Sequence, residues 1–463
     1  MKKILIVVTI IGLAGLAGLW SIVSGGYDKQ NKTILFLKKI IPTSVSRKIR
    51  DTIFIIPDLK EQNRILSVQV AKYEQGLEGN LFEEVTEKTI DKIYTYNLKK
   101  FFLPFKRLDI RAGWAGEKNS TRAHYLEIID DKVLLISGLG ETIYFEKKNI
   151  DKKKLNQVKI SNNIDKVLKN KNSKLLGIRD LYYEDDNIYI SLIEKETRGV
   201  TINIYKAKKN FNNLDFELFF ESLEFKNNYT LQTGGRIEKF RGNEILFSIG
   251  FFADYDDAQK LDNLLGKVIA IDKITKSHRL ISIGHRNPQG LSFLENNNLV
   301  INTEHGPKGG DEINFNFLND NRLKNFGWPI SSYGIHYHSS KKKLKNAPLH
   351  KTHKKFGFIE PLKYFTPSIG ISEILKISSD FNNIQETQYF FGALGRSIQK
   401  HGYEGQQSLH QVIYDKDFKL IKHNIFDLKE RVRDLFYLKT QRKIFLYLES
   451  TASIGVISLA NSD

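Results

Sequence analysis

From about residue 108 onward, apolar and polar residues alternate in short runs that turn-forming residues separate. Lys132–Ser137 and Thr142–Phe145 flank Gly138-Leu139-Gly140-Glu141, which is the pattern of a β-hairpin. Similar runs recur at 187–193, 199–205, 244–249, 267–271, 278–283, 290–294, 299–303, 388–392, 409–414, 432–437 and 443–448. Many short strands with few helical windows predict an all-β fold, which could be a sandwich, a barrel or a propeller. Roughly 350 residues of this pattern exceed a common sandwich and favour a propeller of several four-stranded blades.

The first 26 residues follow a different pattern. Lys2-Lys3 precede an uncharged, mostly apolar run from Ile4 to Gly26, which is typical of an export signal. The apolar part of a secretory signal is usually about 7–15 residues long, whereas about 20 residues span a bilayer. The length of this run and the mediocre cleavage sequence Val23-Ser24-Gly25 favour an uncleaved anchor over a cleaved signal peptide. We therefore predict an exported, periplasmic protein that residues 4–26 anchor to the inner membrane.

The segment from residue 27 to 107 is mixed and charged. Leu59 to Glu78 has the periodicity of an amphipathic helix, with Leu66, Val70 and Tyr73 on one face. We predict a partly helical lead-in or stalk at 27–107, followed by the β-propeller at 108–463.

Composition narrows the range of partners and chemistries. The chain has 71 Lys and Arg against 53 Asp and Glu, a formal charge of +18, which could suit nucleic acid or an anionic membrane. No basic helix interleaved with stacking aromatic residues is visible, so we assign the cations to a solvated surface and predict no nucleic-acid partner. The absence of cysteine excludes disulfides, thiolate metal sites and cysteine nucleophiles. The sequence also contains no P-loop, GxSxG or dinucleotide fingerprint in a strand–helix context.

Three loop patterns each have a functional and a plainer interpretation. Histidines spaced by two or three residues could chelate a transition metal, although loop histidines are more often solvated. A group of aspartates could bind a hard cation, although an acidic turn is the commoner meaning. A lysine run could contact anionic lipid or glycan, although a solvated loop is commoner. These residues are His336, His338, His350 and His353; Asp254, Asp256 and Asp257; and Lys341-Lys342-Lys343-Leu344-Lys345.

Three other loops, in a fixed order, identify a family. They are Gly284-His285-Arg286-Asn287-Pro288-Gln289-Gly290, Glu304-His305-Gly306-Pro307-Lys308-Gly309-Gly310-Asp311-Glu312-Ile313-Asn314 and Asn325-Phe326-Gly327-Trp328-Pro329. Supporting matches, also in order, are Asp257-Ala258-Gln259, Leu265-Gly266-Lys267-Val268, Thr366-Pro367-Ser368-Ile369, Gly392-Ala393-Leu394 and Arg431-Val432-Arg433-Asp434. From about residue 175 to the C-terminus, and more weakly from about residue 125, the chain resembles the glucose/sorbosone dehydrogenase family, the soluble quinoprotein aldose sugar dehydrogenases. The resemblance implies a six-bladed β-propeller, in agreement with the strand pattern.

The resemblance also implies a chemistry. Family members use pyrroloquinoline quinone and Ca²⁺ to oxidise the anomeric carbon of an aldose, and the electrons would pass here to an unidentified respiratory acceptor. The quinone is a planar tricarboxylate, and arginine forks bind carboxylates bidentately. By resemblance, Arg286, Asn287, Arg431 and Arg433 fall on quinone-binding positions, and Arg396 falls where the family often has a lysine. The two backbone carbonyls that hold Ca²⁺ in the family correspond to Gly306 and Pro307.

One position departs from the family pattern. The family usually has a histidine two residues before the Gly-Gly-Arg segment, and this histidine takes the proton of the anomeric hydroxyl. Here the segment reads Gln232-Thr233-Gly234-Gly235-Arg236, so Gln232 occupies the position of the base. A carboxamide can donate and accept hydrogen bonds but cannot deprotonate a hydroxyl near neutral pH. The alternative function is therefore a catalytically degenerate propeller that binds a sugar, a glycan or a protein partner without turnover.

Overall fold

The computed structural model describes residues 81–89, 96–102, 123–150, 152, 154–226, 232–320, 322–336, 346–395 and 405–459, all of which lie in one compact unit. The predicted anchor at residues 4–26 and the predicted helix at residues 59–78 lie outside these ranges. Within them, no helix has the length and hydropathy of a membrane span. The α-helix in the described part, α1 (Ile164–Asn170), has 7 residues.

The described strands form six sheets. Two strands precede the first complete sheet, namely β1 (Leu81–Thr89) and β2 (Tyr96–Phe102). Blade 1 contains β3 (His124–Ile129), β4 (Lys132–Ser137), β5 (Thr142–Glu146) and β7 (Val158–Asn162), and the short β6 (Lys154–Asn156) pairs with β1 instead. Blade 2 contains β8 (Lys174–Glu184), β9 (Asn187–Glu196), β10 (Gly199–Lys208) and β12 (Glu217–Glu221), while β11 (Asn213–Leu214) joins the outer edge of blade 1.

The remaining blades follow the same plan. Blade 3 contains β13 (Gly234–Lys239), β14 (Glu244–Ile249), β15 (Lys267–Asp272) and β16 (His278–Ile283). Blade 4 contains β17 (Pro288–Leu294), β18 (Leu299–Glu304), β19 (Asp311–Phe317) and β21 (Lys363–Phe365), and β20 (Lys324–Asn325) extends blade 3. Blade 5 contains β22 (Ile371–Ile377), β23 (Thr387–Ala393), β24 (Ser408–Tyr414) and β25 (Leu420–Asp427). Blade 6 contains β26 (Val432–Leu438), β27 (Lys443–Leu448) and β28 (Ser453–Leu459).

The innermost strands β3, β8, β13, β17, β22 and β26 contact one another in sequence, and β26 contacts β3 again, so the ring closes. The predicted six-bladed, all-β propeller is therefore confirmed. Six apolar clusters lie between adjacent blades rather than in one central core. The strands in the middle of each blade pack against a neighbouring blade on both faces. Their sequences are therefore nearly continuous apolar runs. β9 is an example, with seven consecutive buried residues.

Blade 6 takes its fourth strand from the other end of the chain. β2 pairs antiparallel with β28, from Tyr96 opposite Leu459 to Phe102 opposite Ser453. β1 then pairs with β2 and, at Leu81–Glu83, with β6. Part of the segment predicted as a lead-in, 27–107, is therefore a strand of this sheet. The alternation in this part of the sequence is short and charged, and nothing local in it indicates a partner near the C-terminus.

Candidate functional site

Five of the six inner strands contain a β-bulge near the end at which they begin. The pairing register shifts between Ile178 and Asp180, Gly234 and Ile237, Pro288 and Gly290, Ile371 and Ile374, and Val432 and Asp434. A bulge adds one residue to a strand and changes the direction of its side chains. The bulges contain Arg179, Arg236, Gln289, Glu373 and Arg433. Polar side chains thus gather where the inner strands meet.

Arg431 and Arg433 share one buried carboxylate. The Nε atoms of the two arginines donate to the two oxygens of Glu449, at 2.8 Å from Arg431 and 2.5 Å from Arg433. Burial by itself raises the pKa of Glu449, but the two guanidinium groups more than offset this effect and lower the pKa to about 2. Arg431 Nη1 also donates to the carbonyls of Leu394 and Gly395, both at 2.9 Å, and so connects blade 6 to the loop that follows β23. Glu449 therefore fixes the orientation of both arginines.

Gln289 connects this pair to the loop before β17. Its Oε1 accepts a hydrogen bond from Arg433 Nη1 at 3.2 Å, and its Nε2 donates to Asn287 Oδ1 at 3.1 Å. Asn287 Oδ1 also accepts from the backbone N–H of Gly234, and Asn287 Nδ2 lies 3.3 Å from His305 Nδ1. One network of hydrogen bonds therefore brings Asn287 and Arg433 together, as well as Arg431 through Glu449.

Arg286 lies on the same loop and is held by a carbonyl and two rings. Its Nη1 donates to the carbonyl of His305 at 2.7 Å. Its guanidinium carbon lies 5.3 Å from the ring centroid of Trp328 and 5.5 Å from that of Phe251, which is the range of cation–π contacts. Burial lowers the pKa of the neighbouring His305, so this imidazole is neutral at neutral pH.

The loop that contains Gly306 and Pro307 is closely folded. Gly306 N donates to Asp311 Oδ1 at 3.1 Å, and a Cβ atom on Gly306 would lie 1.9 Å from the carbonyl oxygen of Gly310, so only glycine fits. The carbonyl of Pro307 accepts a hydrogen bond from Ser368 Oγ at 3.1 Å. A carbonyl oxygen has two lone pairs and can accept a second partner. The carbonyls of Gly306 and Pro307, which the family resemblance predicts as Ca²⁺ ligands, thus belong to a loop with a defined shape.

Gln232 lies at the start of blade 3, two residues before β13. Its carbonyl accepts from Phe252 N at 3.0 Å, and a Cβ atom on Gly250 would lie 2.3 Å from that carbonyl oxygen, so the Gln232 backbone is tightly held. The Gln232 side chain is half-buried. Since Gly234 N bonds to Asn287, the Gln232 backbone lies beside the network described above.

Next to this network, one arginine, Arg236, forms ion pairs with three carboxylates. Arg236 Nη1 lies 2.7 Å from Asp180, 2.9 Å from Glu373 and 2.8 Å from Asp434. Arg236 also donates from Nε to the carbonyl of Gln289 and from Nη2 to that of Arg433, so it supports the residues above it. Burial raises the pKa of Asp180 to about 7, with Asp434 acting in the same direction and Arg236 against it. Burial likewise raises the pKa of Glu373 and of Asp434. The three carboxyl groups of this acid cluster (Asp180, Glu373 and Asp434) therefore bind protons more readily than exposed carboxyl groups, and the cation that pairs with all three is the guanidinium of Arg236.

We expect the melting temperature to fall as the pH rises from about 6.5 to about 8. In the unfolded chain, carboxyl groups ionise near pH 4, whereas folding raises the pKa of Asp180 to about 7. The folded protein therefore binds more protons than the unfolded chain in this window, and its stability decreases with pH. Buried histidines act in the opposite direction, increasingly as the pH falls towards 6.5, because unfolded histidines become charged there. Glu238, whose pKa burial raises to about 8, acts in the same direction as Asp180. Thermal melts at constant ionic strength test this, and Asp180→Asn should flatten the slope. A melting temperature that rises over the window would contradict the assignment.

The other residues that the sequence singles out are held by protein groups. Lys226 Nζ lies 2.8 Å from Asp254 and 2.6 Å from Asp257, which supports the acidic-turn interpretation. His336 Nε2 lies 2.8 Å from the carbonyl oxygen of Ala347, and the ring of His350 stacks on that of Phe356. The ring of His353 stacks on that of Tyr333, and its Nε2 lies 3.6 Å from a carboxylate oxygen of Glu312. The structure does not bring these histidines to one centre. Arg396, His338 and the run 341–345 lie outside the described residues.

Sequence reasoning missed Glu449, Gln289 and the acid cluster. Gln289 stands in the motif loop two residues after Asn287, so its amide was visible as a candidate. The partners of Glu449 and Arg236 come from other strands and blades, and no local spacing could have indicated them.

Sequence comparison identifies a family. The sequence model of the glucose/sorbosone dehydrogenase family matches residues 123–453, which is more than half of the chain. Aldose sugar dehydrogenase YliI of Escherichia coli (strain K12) is 33% identical over 175 residues, which cover 35% of this chain and 44% of that protein. The aligned stretch thus spans less than half of this curated relative.

Solved structures share the fold. A crystal structure of a glucose dehydrogenase has a TM-score of 0.58 at 19% identity and covers 74% of this chain and 98% of that one. The holo form of the pyranose dehydrogenase PQQ domain from Coprinopsis cinerea has a TM-score of 0.50 at 9% identity, with coverage of 73% and 93%. At these identities the likeness establishes the propeller fold.

Proposed function

Since the chain belongs to the glucose/sorbosone dehydrogenase family, we propose that its pocket binds pyrroloquinoline quinone and Ca²⁺ and oxidises the anomeric carbon of an aldose. The observation that carries the proposal is the set of guanidinium groups at the head of the inner strands. Arg431 and Arg433 share one carboxylate, Glu449, so positive charge remains at this pair. A planar tricarboxylate matches such a set, because arginine binds carboxylates in a fixed, bidentate geometry.

Each residue has a separate role in this proposal. Arg431 and Arg433 bind carboxylates of the quinone from blade 6, and Arg286 and Asn287 bind it from the loop before β17. The carbonyls of Gly306 and Pro307 hold Ca²⁺, which prefers oxygen ligands. Held by these residues, the quinone would supply a hydride acceptor for the anomeric carbon, and Ca²⁺ would supply a Lewis acid. Arg396 is proposed as a further quinone ligand on the strength of the family resemblance alone.

Gln232 supports a second candidate function. Its amide can hydrogen-bond the anomeric hydroxyl and orient the sugar, but it cannot remove the proton. A propeller that retains the quinone pocket and binds a sugar or a glycan without turnover is therefore the alternative. Export, a periplasmic location, anchoring by residues 4–26 and a respiratory electron acceptor remain predictions from the sequence.

Arg431→Gln should weaken the binding of the quinone by about 10- to 100-fold, because charge-assisted hydrogen bonds are lost. The full chain is loaded with the quinone and Ca²⁺, and retention of the quinone is followed by its absorbance after gel filtration. Dye reduction is then measured across a panel of aldoses.

A matched control is Arg198→Gln, which removes a 55% exposed arginine of blade 2 that pairs with Glu196. This variant should retain the quinone as the parent does. Failure of the parent to bind the quinone would reject the proposed function, and binding without dye reduction would favour the alternative.

A further inference from the structure

Lys267 belongs to the motif Leu265-Gly266-Lys267-Val268, to which the proposed function gives no role. It is the first residue of β15 and its exposed fraction is 0%. Its Nζ donates to three backbone carbonyls, those of Leu265 at 2.5 Å, Asp257 at 3.0 Å and Ala258 at 3.2 Å. An ammonium group has three N–H donors. Each of them therefore has a partner, and all three partners belong to the loop between β14 and β15.

The ammonium group of Lys267 is held by these carbonyls rather than by an ion pair. The carboxylate of Asp257 is directed to Lys226 at 2.6 Å and to Lys260 at 2.9 Å. Burial has the largest effect on Lys267 and lowers its pKa to about 8. The charged groups that face it have smaller effects, since three carboxylates raise the pKa and one lysine lowers it, namely Asp257, Glu224, Asp262 and Lys260. Lys267 therefore begins to lose its proton just above neutral pH.

The carbonyl of Ala258 connects this loop to the loop that contains Arg286. It accepts a second hydrogen bond, from Gly284 N at 3.1 Å. In parallel, His285 N donates to the carbonyl of Gly266 at 3.1 Å. A Cβ atom on Gly266 would lie 2.6 Å from the carbonyl oxygen of His285, so the two loops touch with no space between them. The contact between the loops thus adjoins the ammonium group on both sides, at residues 258 and 266.

Gln259 makes a further connection, through Trp328. Its Nε2 donates to the carbonyl of Trp328 at 2.7 Å, and Trp328 N donates to the carbonyl of Gly284 at 2.9 Å. Trp328 is 3% exposed, and the centroid of its ring lies 5.3 Å from the guanidinium carbon of Arg286. A displacement of the loop that Lys267 holds therefore reaches Arg286 both through the backbone of its own loop and through the ring of Trp328.

We propose that Lys267 positions Arg286 for the quinone, because its ammonium group holds the loop 250–266 against the loop before β17. The proposal rests on the proposed function, since it takes Arg286 as a ligand of the quinone. A neutral amine has two N–H donors and a lone pair, so one of the three carbonyls loses its donor when the proton leaves. The contact between the loops then weakens, and the affinity for the quinone decreases as the pH rises through the pKa of Lys267, about 8.

The emission of Trp328 measures this contact without the quinone. The chain has three tryptophans, so Trp20→Phe and Trp114→Phe leave Trp328 as the remaining one. In the full chain with these two substitutions, we expect the emission to shift to longer wavelength between pH 7 and pH 9, because a buried ring becomes more exposed to water. The midpoint of the shift should lie near pH 8, at the pKa of Lys267.

Two variants in the same background assign the midpoint to Lys267. Lys267→Met keeps a long side chain but has no proton to lose, so it should abolish the midpoint. Lys273→Met is the matched control, because Lys273 directly follows β15 and pairs with Glu184 and Asp185, both at 2.7 Å. This control should keep the midpoint.

Equilibrium dialysis of the quinone against the full chain, with Ca²⁺ present, measures the effect on the pocket. We expect the parent to bind the quinone about 3- to 10-fold more weakly at pH 9 than at pH 7, since the loss of one proton is linked to binding. Lys267→Met should bind it weakly at both pH values, with no difference between them.

Three results would overturn the proposal. They are an emission of Trp328 that does not change between pH 7 and pH 9, a midpoint that persists in Lys267→Met, and a parent whose affinity for the quinone is the same at both pH values. A parent that shows the midpoint but does not bind the quinone would reject the proposed function and leave the contact made by Lys267 confirmed. If Lys267→Met does not fold, Lys267→Gln replaces it, because its amide keeps two N–H donors and has no proton to lose, and a midpoint that persists in this variant rejects the proposal equally.

Discussion

Replacing Gln232 with histidine is expected to raise the turnover of aldoses by about 10²- to 10⁴-fold, which is the usual contribution of a general base. Imidazole has a reference pKa of about 6.5 and can take the proton of the anomeric hydroxyl near neutral pH, which the amide cannot do. The Gln232 backbone is fixed by Phe252 and Gly250, and its side chain is half-buried, so a ring at this position points into the same space.

The gain should appear mainly in kcat, since a base acts in the transition state rather than in the binding of the ground state. The pH–rate profile of the variant should also acquire a limb near pH 6.5 that the parent lacks. Stopped-flow dye reduction by the quinone-loaded full chain measures both effects. Gln232→Asn, which keeps an amide, is the matched control and should show no gain. If Gln232→His binds the quinone normally and no aldose is oxidised faster, the base is not the only missing group and binding without turnover becomes the better interpretation.

The second large effect is expected at Arg236. Arg236→Met removes the guanidinium that lies within 2.9 Å of Asp180, Glu373 and Asp434, and these three carboxyl groups lose the ion pair that they share. Breaking a buried ion pair on one side typically costs about 3–5 kcal/mol, because the remaining charge is unsolvated. We expect the free energy of unfolding at pH 8 to decrease by about this amount, as measured by urea denaturation.

The loss should be smaller near pH 5.5, where the carboxyl groups can take up protons instead of requiring a cation. Arg279→Met is the control, since Arg279 is 51% exposed and pairs with Glu244 at the surface, where ion pairs contribute about 0–1 kcal/mol. A loss for Arg236→Met that is no larger than that of the control, or one that does not depend on pH, would show that the cluster is not held by this charge.

Much of the fold could be predicted because the strands are local features. The predicted strands at 132–137, 244–249 and 278–283 have the bounds that the structure gives them. The strands at 132–137 and 278–283 also have a hairpin partner within a few residues, β5 after the first and β15 before the second. The number of blades came from the family resemblance, since no sequence repeat marks the blades.

The candidate site could be predicted only in part. The motifs named Arg286, Asn287, Arg431 and Arg433. The structure joins Asn287, Arg431 and Arg433 in one hydrogen-bond network through Gln289 and Glu449. Their roles with the quinone stay predictions. The bulges of the inner strands could not be predicted, because a bulge depends on the register between two strands. Arg179 therefore had no signal in the sequence, although it stands directly before Asp180.

The pairing of β2 with β28 has a consequence for the synthesis of the chain. Phe102 leaves the ribosome about 350 residues before its partner Ser453 is made. At about 5–20 residues per second, β2 waits on the order of tens of seconds for the strand that completes its sheet. During this time β2 and the edge of blade 6 have unpaired backbone groups, which are the usual point of attachment for another nascent chain. A product that ends before Ser453 lacks the strand that joins β2 to blade 6, so closure of the ring depends on translation through β28.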